Sequence, residues 1–276
     1  MTAIRLLVLD IDGTIAGASN QVTPQVQQAV AAVQAQGIRV AIATGRMYQA
    51  ALRFHQVIGS TLPLMAYQGA WIQDPSTQTR YRHSPLPRPY ALELLELLAE
   101  AETQQALSIH LYINDQLHVR EVIADTRDYA QRSQVEPLAV GDLTTFLQQN
   151  PSLEATKLLA LSPEPTVTRG LLNQLQQRYR SDQLYLTQSI SQFFEATHPL
   201  ANKGAAVQFV AEELLGLTAN EVMAIGDNFN DAAMLQYAGC AVAMGDAPPA
   251  VQAMAGWTAP SVEADGVAAA IEKFLL

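Results

Sequence analysis

The run LLVLDIDGTIAG, residues 6–17, passes from aliphatic side chains to two carboxylates one residue apart, Asp10 and Asp12, followed at once by Gly13 and Thr14. Acids crowded at the end of an apolar strand repel one another and lose hydration, so a cation or a turn in the chain is needed to accommodate them. Three further stretches carry polar groups: ATGR (43–46), NKG (202–204) and GDNFND (226–231). Together they offer the carboxylates of Asp10, Asp12, Asp227 and Asp231, the cations of Lys203 and Arg46, and the hydroxyls of Thr14 and Thr44. Gly13 and Gly45 let the backbone approach a ligand closely. Hard oxygen donors with no Cys and no nearby His suit Mg²⁺ rather than zinc or copper. A cation, a lysine, hydroxyls and helix N-termini are together the equipment for holding a phosphoryl group.

The spacing carries geometric expectations. Alternate side chains of a strand share a face, but the strand ends here. Gly13 and Thr14 predict a turn that separates the two acids and brings Asp12 back over the site. The interval from Asp227 to Asp231 is about one helical turn and predicts both on one face. Lys203, at the start of a predicted helix, adds charge and free N–H groups.

Alternating strands and helices position these groups. Residues 4–9 read as a buried strand. Thr23 offers an N-cap, Pro24 the first helical position and Gly37 a stop, with Val26, Ala29, Val30 and Val33 as the apolar stripe. IRVAIA (38–43), a helix from about Met47, and LPLMAY (62–67) complete a βαβαβ order that implies a parallel sheet. Near the C-terminus a helix over 203–215, a strand over 221–226, a helix over 230–238 and a strand over 240–245 repeat that grammar. In such sheets ligands gather beyond the carboxyl ends of strands, so DIDGT, ATGR and GDNFND are expected to converge there, with NKG opening a helix beside them.

The middle differs. SPLPRPY (84–90) reads as a linker; a Leu-rich helix (91–101) and a hairpin (107–120) with Asn114-Asp115 at its turn follow. The expected fold is α/β, a Rossmann-like doubly wound parallel sheet with an inserted α+β module. Its expected boundaries are 1–84 for the first part of the core, 85–189 for the insert and 190–276 for the second part.

The chain has 276 residues, 49% hydrophobic, with a formal net charge of −10, which argues against general affinity for nucleic acid or anionic membrane. One cysteine, Cys240, excludes an internal disulfide and reads as a small core residue. There is no apolar run long enough to span a bilayer and no secretory leader pattern, so a cytoplasmic location is expected. The five histidines show no metal-ligand spacing, and His110 and His118 are expected on a polar face of the hairpin.

The order D-x-D-G-T, T-G-R, N-K-G, G-D-x-x-N-D resembles the haloacid dehalogenase superfamily of phosphotransferases. The insert and the tail from VAMGDAPP (242–249) onward resemble its Cof-type sugar-phosphatase branch. The resemblance implies an aspartyl-phosphate mechanism. Asp10 would be the nucleophile and Asp12 the general acid and then base. Thr44 and Lys203 would hold phosphoryl oxygens, with Gly13, Thr14, Gly45 and Arg46 lining the phosphate site; for Arg46, at a helix start, pairing with a neighbouring carboxylate is the alternative. Asp227 would bind Mg²⁺ with Asp10 and the main-chain carbonyl of Asp12, while Asn230 and Asp231 complete the phosphate and metal-water network. The insert would act as a cap. Two departures stand out: Gln68 in YQGA replaces the family's Asn, and Asp246 in MGDA adds charge at the expected pocket rim. Gln68 carries its amide one methylene further out, so a contact near the leaving group is expected to shift, but neither departure is expected to touch the chemistry.

The expected activity is Mg²⁺-dependent hydrolysis of a small phosphorylated metabolite, a sugar phosphate by family default. A phosphomutase using the same aspartyl-phosphate is the nearest alternative. A phospho-aspartate receiver or binding protein is the remote one, disfavoured by the large insert and the second acid of D-x-D.

Overall fold

The computed structural model describes residues 3–104 and 106–276. The first strand, β1 (Leu6–Leu9), is wholly buried. Helix α1 (Pro24–Ala35) starts where Thr23 accepts a hydrogen bond from the amide of Val26, and it buries Val26, Ala29, Val30 and Val33. β2 (Arg39–Ile42), α2 (Tyr48–Val57) and β3 (Leu64–Ala66) follow. Two short strands unforeseen in the sequence, β4 (Trp71–Gln73) and β5 (Arg80–His83), join β3 in a separate three-stranded sheet. The expectation of β3 as a full member of the parallel sheet therefore needs correction. Its parallel link to the β2 edge is one bridge, Ala43 to Met65, while its other edge pairs with β4.

The insert contains α3 (Arg88–Gln104), β6 (Ser108–Ile113), β7 (Gln116–Val119), α4 (Ala124–Ser133), β8 (Pro137–Ala139), α5 (Leu143–Gln149), β9 (Ala155–Leu161), α6 (Pro165–Arg178), β10 (Tyr185–Thr187) and β11 (Phe193–Thr197). Its sheet has the order β10-β11-β9-β6-β7-β8. Asn114 and Asp115 both take positive φ, 52° and 57°, as a tight hairpin between β6 and β7 demands. One sheet face packs Ile109, Leu111, Leu158, Ala160, Phe194 and Ala196 with the apolar side chains of α3, α5 and α6. Alternation sends Tyr112, Lys157, Glu195 and Thr197 to the opposite face, where Lys157 and Glu195 form a buried ion pair at 2.8 Å. His110 and His118 are both buried rather than exposed on a polar surface. His110 meets the ring of Tyr129 edge-on, and His118 packs against Phe146.

The chain then completes the first sheet with α7 (Lys203–Gln208), β12 (Val222–Gly226), α8 (Ala232–Tyr237), β13 (Cys240–Ala243), α9 (Pro249–Gln252), β14 (Trp257–Thr258) and α10 (Gly266–Phe274). The helix expected over 203–215 changes to a π turn at Phe209–Leu214, while Val207 and Val210 remain fully buried. Cys240 is half-buried at the start of β13 rather than deep in the core. The resulting five-stranded parallel sheet, β14-β13-β12-β1-β2, has β1 between β12 and β2, in register Leu9 to Ile225 and Leu9 to Ile42. The carboxyl ends of β1, β2 and β12 therefore lie side by side. The molecule forms two compact units, Met1–Arg82 with Asn202–Leu276, and His83–Ala201. No helix of the described residues is long and apolar enough to cross a membrane.

Candidate active site

Asp10 directly follows β1, and its amide donates to the Ile225 carbonyl of β12 at 3.1 Å. The chain then turns tightly: the amides of Thr14, Ile15 and Ala16 all donate to the carbonyl of Ile11. Gly13 makes the turn feasible. Its φ is +78°, and a Cβ there would lie 2.3 Å from Oδ2 of Asp227. This is the turn expected at Gly13-Thr14, and it directs Asp12 towards the loop after β2. The Asp12 carboxylate takes a two-pronged ion pair from Arg46, Nε to Oδ2 at 2.8 Å and Nη2 to Oδ1 at 2.6 Å. Arg46 also donates to Oδ1 of Asn20 at 2.7 Å. Of the two roles open to Arg46, phosphate contact and carboxylate pairing, the structure shows the pairing, with the second acid.

Lys203 is fully buried and holds two carboxylates, Asp10 at 2.7 Å and Asp231 at 2.6 Å. Asn202 caps its helix by accepting from the amide of Ala205 at 2.8 Å, which presents Lys203 in the first turn. The second oxygen of Asp231 accepts from the amides of Asp227 and Asn228 at 2.9 and 3.1 Å. Asp227 precedes the 3-10 turn at Phe229–Asp231, so the two acids meet through a capping turn and not on one helix face. Thr14 donates to Oδ1 of Asp227 at 3.3 Å. Thr44 is fully buried; its hydroxyl oxygen accepts from the amide of Arg46 at 3.2 Å, leaving its proton available to donate.

Carboxylate oxygens of Asp10, Asp227 and Asp231 lie within 4.8 Å of one another. Burial, then repulsion from Asp231, pushes the Asp10 carboxyl up to about 7 against the pull of Lys203. Asp227 is pushed up to about 9 by burial, with Asp231 and Asp10 adding repulsion. Burial would lower Lys203, but Asp10 and Asp231 together outweigh it and raise it above its ordinary value. Three clustered acids in a desolvated place are more than one lysine can balance, which is what raises Asp10 and Asp227. An all-oxygen donor set with that excess of acids fits a hard divalent cation such as Mg²⁺. The Asp12 side chain is outside this cluster, since Arg46 occupies it.

Asn230 is almost fully buried, and its amide nitrogen donates to Oε1 of Gln68 at 3.3 Å. Gln68, expected to stay away from the chemistry, is itself fully buried and touches both Asn230 and Gly45. Its departure from the family's Asn was the signal available in the sequence. Asp246 is exposed and accepts from the amide of Val262 at 3.0 Å, so it ties down a turn.

The structure is an open α/β sheet with a buried acidic centre, braced by one lysine, at the carboxyl edge of its strands. The chain belongs to the haloacid dehalogenase-like hydrolases, whose family profile matches residues 7–271. It is 28% identical over 282 residues to pyridoxal phosphate phosphatase YbhA of Escherichia coli, covering 99% of both chains. It is 24% identical over 278 residues to 5-amino-6-(5-phospho-D-ribitylamino)uracil phosphatase YitU of Bacillus subtilis, covering 98% of this chain and 97% of that one. A haloacid dehalogenase-like hydrolase from B. subtilis has the same fold, with a TM-score of 0.86 at 24% identity over 99% of this chain and 100% of that one.

Proposed function

We propose that the protein is a Mg²⁺-dependent phosphatase that hydrolyses a small phosphorylated metabolite through a phosphoryl group carried on Asp10. The observation that carries this reading is the buried Asp10–Lys203–Asp231 bridge beside Asp227 at the strand ends. A sugar phosphate or a phosphorylated cofactor of similar size suits it, in keeping with the named activities of its relatives.

Asp10 and Asp227, with the main-chain carbonyl of Asp12, would hold the cation, which when bound neutralises the acids and polarises a phosphoryl oxygen. Lys203 fixes one oxygen of Asp10 and leaves the other to attack phosphorus. The ester P–O bond breaks as the Asp10–phosphorus bond forms, and a protonated Asp12 gives its proton to the departing alkoxide. Asp12 then takes a proton from water, whose oxygen displaces Asp10 and releases inorganic phosphate. Arg46 orients the Asp12 carboxylate for this exchange, and that pair must loosen when Asp12 carries the proton. Thr44 and Lys203 hold phosphoryl oxygens. Selectivity among leaving groups is assigned to the inserted unit acting as a cap.

The test is phosphate release from a panel of sugar, nucleotide, flavin and pyridoxal phosphates with Mg²⁺. Turnover of at least one member is expected, with Asp10→Asn lowering kcat by about a thousandfold or more. Isomer formation without free phosphate would instead indicate a mutase. No turnover of any member would overturn both readings.

A further inference from the structure

Residues 67–69 take positive φ in succession: Tyr67 at 52°, Gln68 at 60° and Gly69 at 91°. Two of these are not glycine, and such backbone is retained where the surroundings over-determine it, often at functional sites. Backbone hydrogen bonds clamp the turn onto the ATGR loop. The amide of Thr44 donates to Met65, that of Tyr67 to Arg46, and that of Gln68 to Thr44, all within 2.9 Å. The side chain this turn delivers is Gln68.

The Gln68 amide is sealed from solvent, with Oε1 accepting from Asn230. Its Nε2 has no hydrogen-bond partner among the described residues, and neither does Oδ1 of Asn230. With the amides placed as they are, the one hydrogen bond between them leaves the N–H₂ group of Gln68 and the carbonyl oxygen of Asn230 unmatched. A buried unsatisfied donor is costly, and a native site retains one where a ligand completes it. The missing acceptor belongs beside Gly45. A Cβ at that position would sit 2.4 Å from Nε2, so the absence of a side chain at residue 45 makes room for this amide. Gly45 follows Thr44, assigned above to a phosphoryl oxygen, and Asn230 precedes Asp231 of the acidic centre.

The geometry points to Gln68 as a phosphoryl-binding residue, its Nε2–H₂ donating to an oxygen of the transferred phosphoryl group. This rests on the phosphatase reading for the identity of the anion. The amide is neutral, so it adds a donor without adding further charge to the crowded acidic centre. An N–H to a phosphate oxygen is a charge-assisted bond, so its loss is read in the affinity for the anion.

The experiment measures the affinity for inorganic phosphate, with Mg²⁺, in wild type, Gln68→Met and Gln68→Glu. Gln68→Met keeps the volume and removes the donor; its expected affinity is about tenfold lower, with Tm close to wild type. Gln68→Glu places a carboxylate against the anion and is expected to lose about a hundredfold or more. In wild type, the side-chain amide resonances of Gln68 should move on titration with phosphate, a readout that does not depend on either variant folding. Static Gln68 resonances in phosphate-saturated protein, or wild-type phosphate affinity in a folded Gln68→Met, would overturn the inference. The substrate panel separates the two readings. If wild type hydrolyses esters while Gln68→Met binds phosphate normally, the role of Gln68 fails alone. If wild type hydrolyses none yet binds phosphate through Gln68, the phosphatase reading fails alone.

Discussion

Lys203 decides how many charges the centre can hold. It has no solvent exposure and lies within 2.7 Å of both Asp10 and Asp231. Removing one partner of a buried ion pair leaves the other uncompensated, at a cost of about 3–5 kcal/mol. Lys203→Met, in chelator, should therefore unfold at markedly lower urea concentration than wild type. Added Mg²⁺ should restore part of that stability, because a cation takes over the lysine's neutralising role. Equal urea midpoints for the two proteins in chelator would show that Lys203 is not what balances Asp10 and Asp231. Arg46 works at the same scale by another route. Its planar fork matches the two oxygens of Asp12, which a lysine cannot reproduce.

Short turns at strand ends aim these side chains. The loop after β1 puts Asp10 and Asp12 in different surroundings, one against Lys203 and the other against Arg46. Its tightest point is Gly13, where positive φ coincides with the close approach of Asp227. Gly13→Ala must strain the backbone and move Asp227, with an expected loss of about 1–3 kcal/mol. The Mg²⁺ concentration for half-maximal activity should rise at the same time. Titration of activity against Mg²⁺ checks this, and an unchanged midpoint would mean that Asp227 tolerates displacement or does not hold the metal. The capping turn at Phe229–Asp231 has a comparable task, since the oxygen of Asp231 that organises the turn belongs to the carboxylate that anchors Lys203.

At the scale of the whole molecule, two kinds of buried charge respond to solution conditions in different ways. On the proposed function, the carboxylates clustered around Asp10 and Asp227 should make the folded state a better Mg²⁺ ligand than the unfolded chain. Saturating Mg²⁺ at about a hundred times its dissociation constant should thus add about 2.7 kcal/mol, seen as a rise in Tm. No shift in Tm across a broad Mg²⁺ titration would argue against the site. In the inserted unit, burial and then the charge of Lys157 push His110 down to about 3 from 6.5. Between those values the unfolded chain binds a proton that the folded one refuses. The stability tied to neutral His110 is therefore complete above pH 6.5 and is lost as pH falls towards 3. At pH 5 the loss is about 2 kcal/mol. Urea unfolding at pH 7 and pH 5 should show His110→Gln losing less than wild type by about that amount; parallel losses would mean that His110 is already charged in the fold.

Much of this was legible in the primary structure because the signals are local. Apolar runs, the Thr23 cap with Pro24, and the Asn114-Asp115 turn depend on neighbours within a few residues, and each appears in the fold. The types and order of Asp10, Lys203 and Asp227 likewise pointed to one acidic centre, and the fold brings them together. What only the tertiary structure decided is pairing between distant residues. Arg46 with Asp12, Lys203 with both Asp10 and Asp231, and Gln68 with Asn230 join segments separated by as many as 193 positions. Spacing along a chain has no term for such distances. They are fixed when β1 inserts between β2 and β12, bringing the ends of three strands to one edge of the sheet.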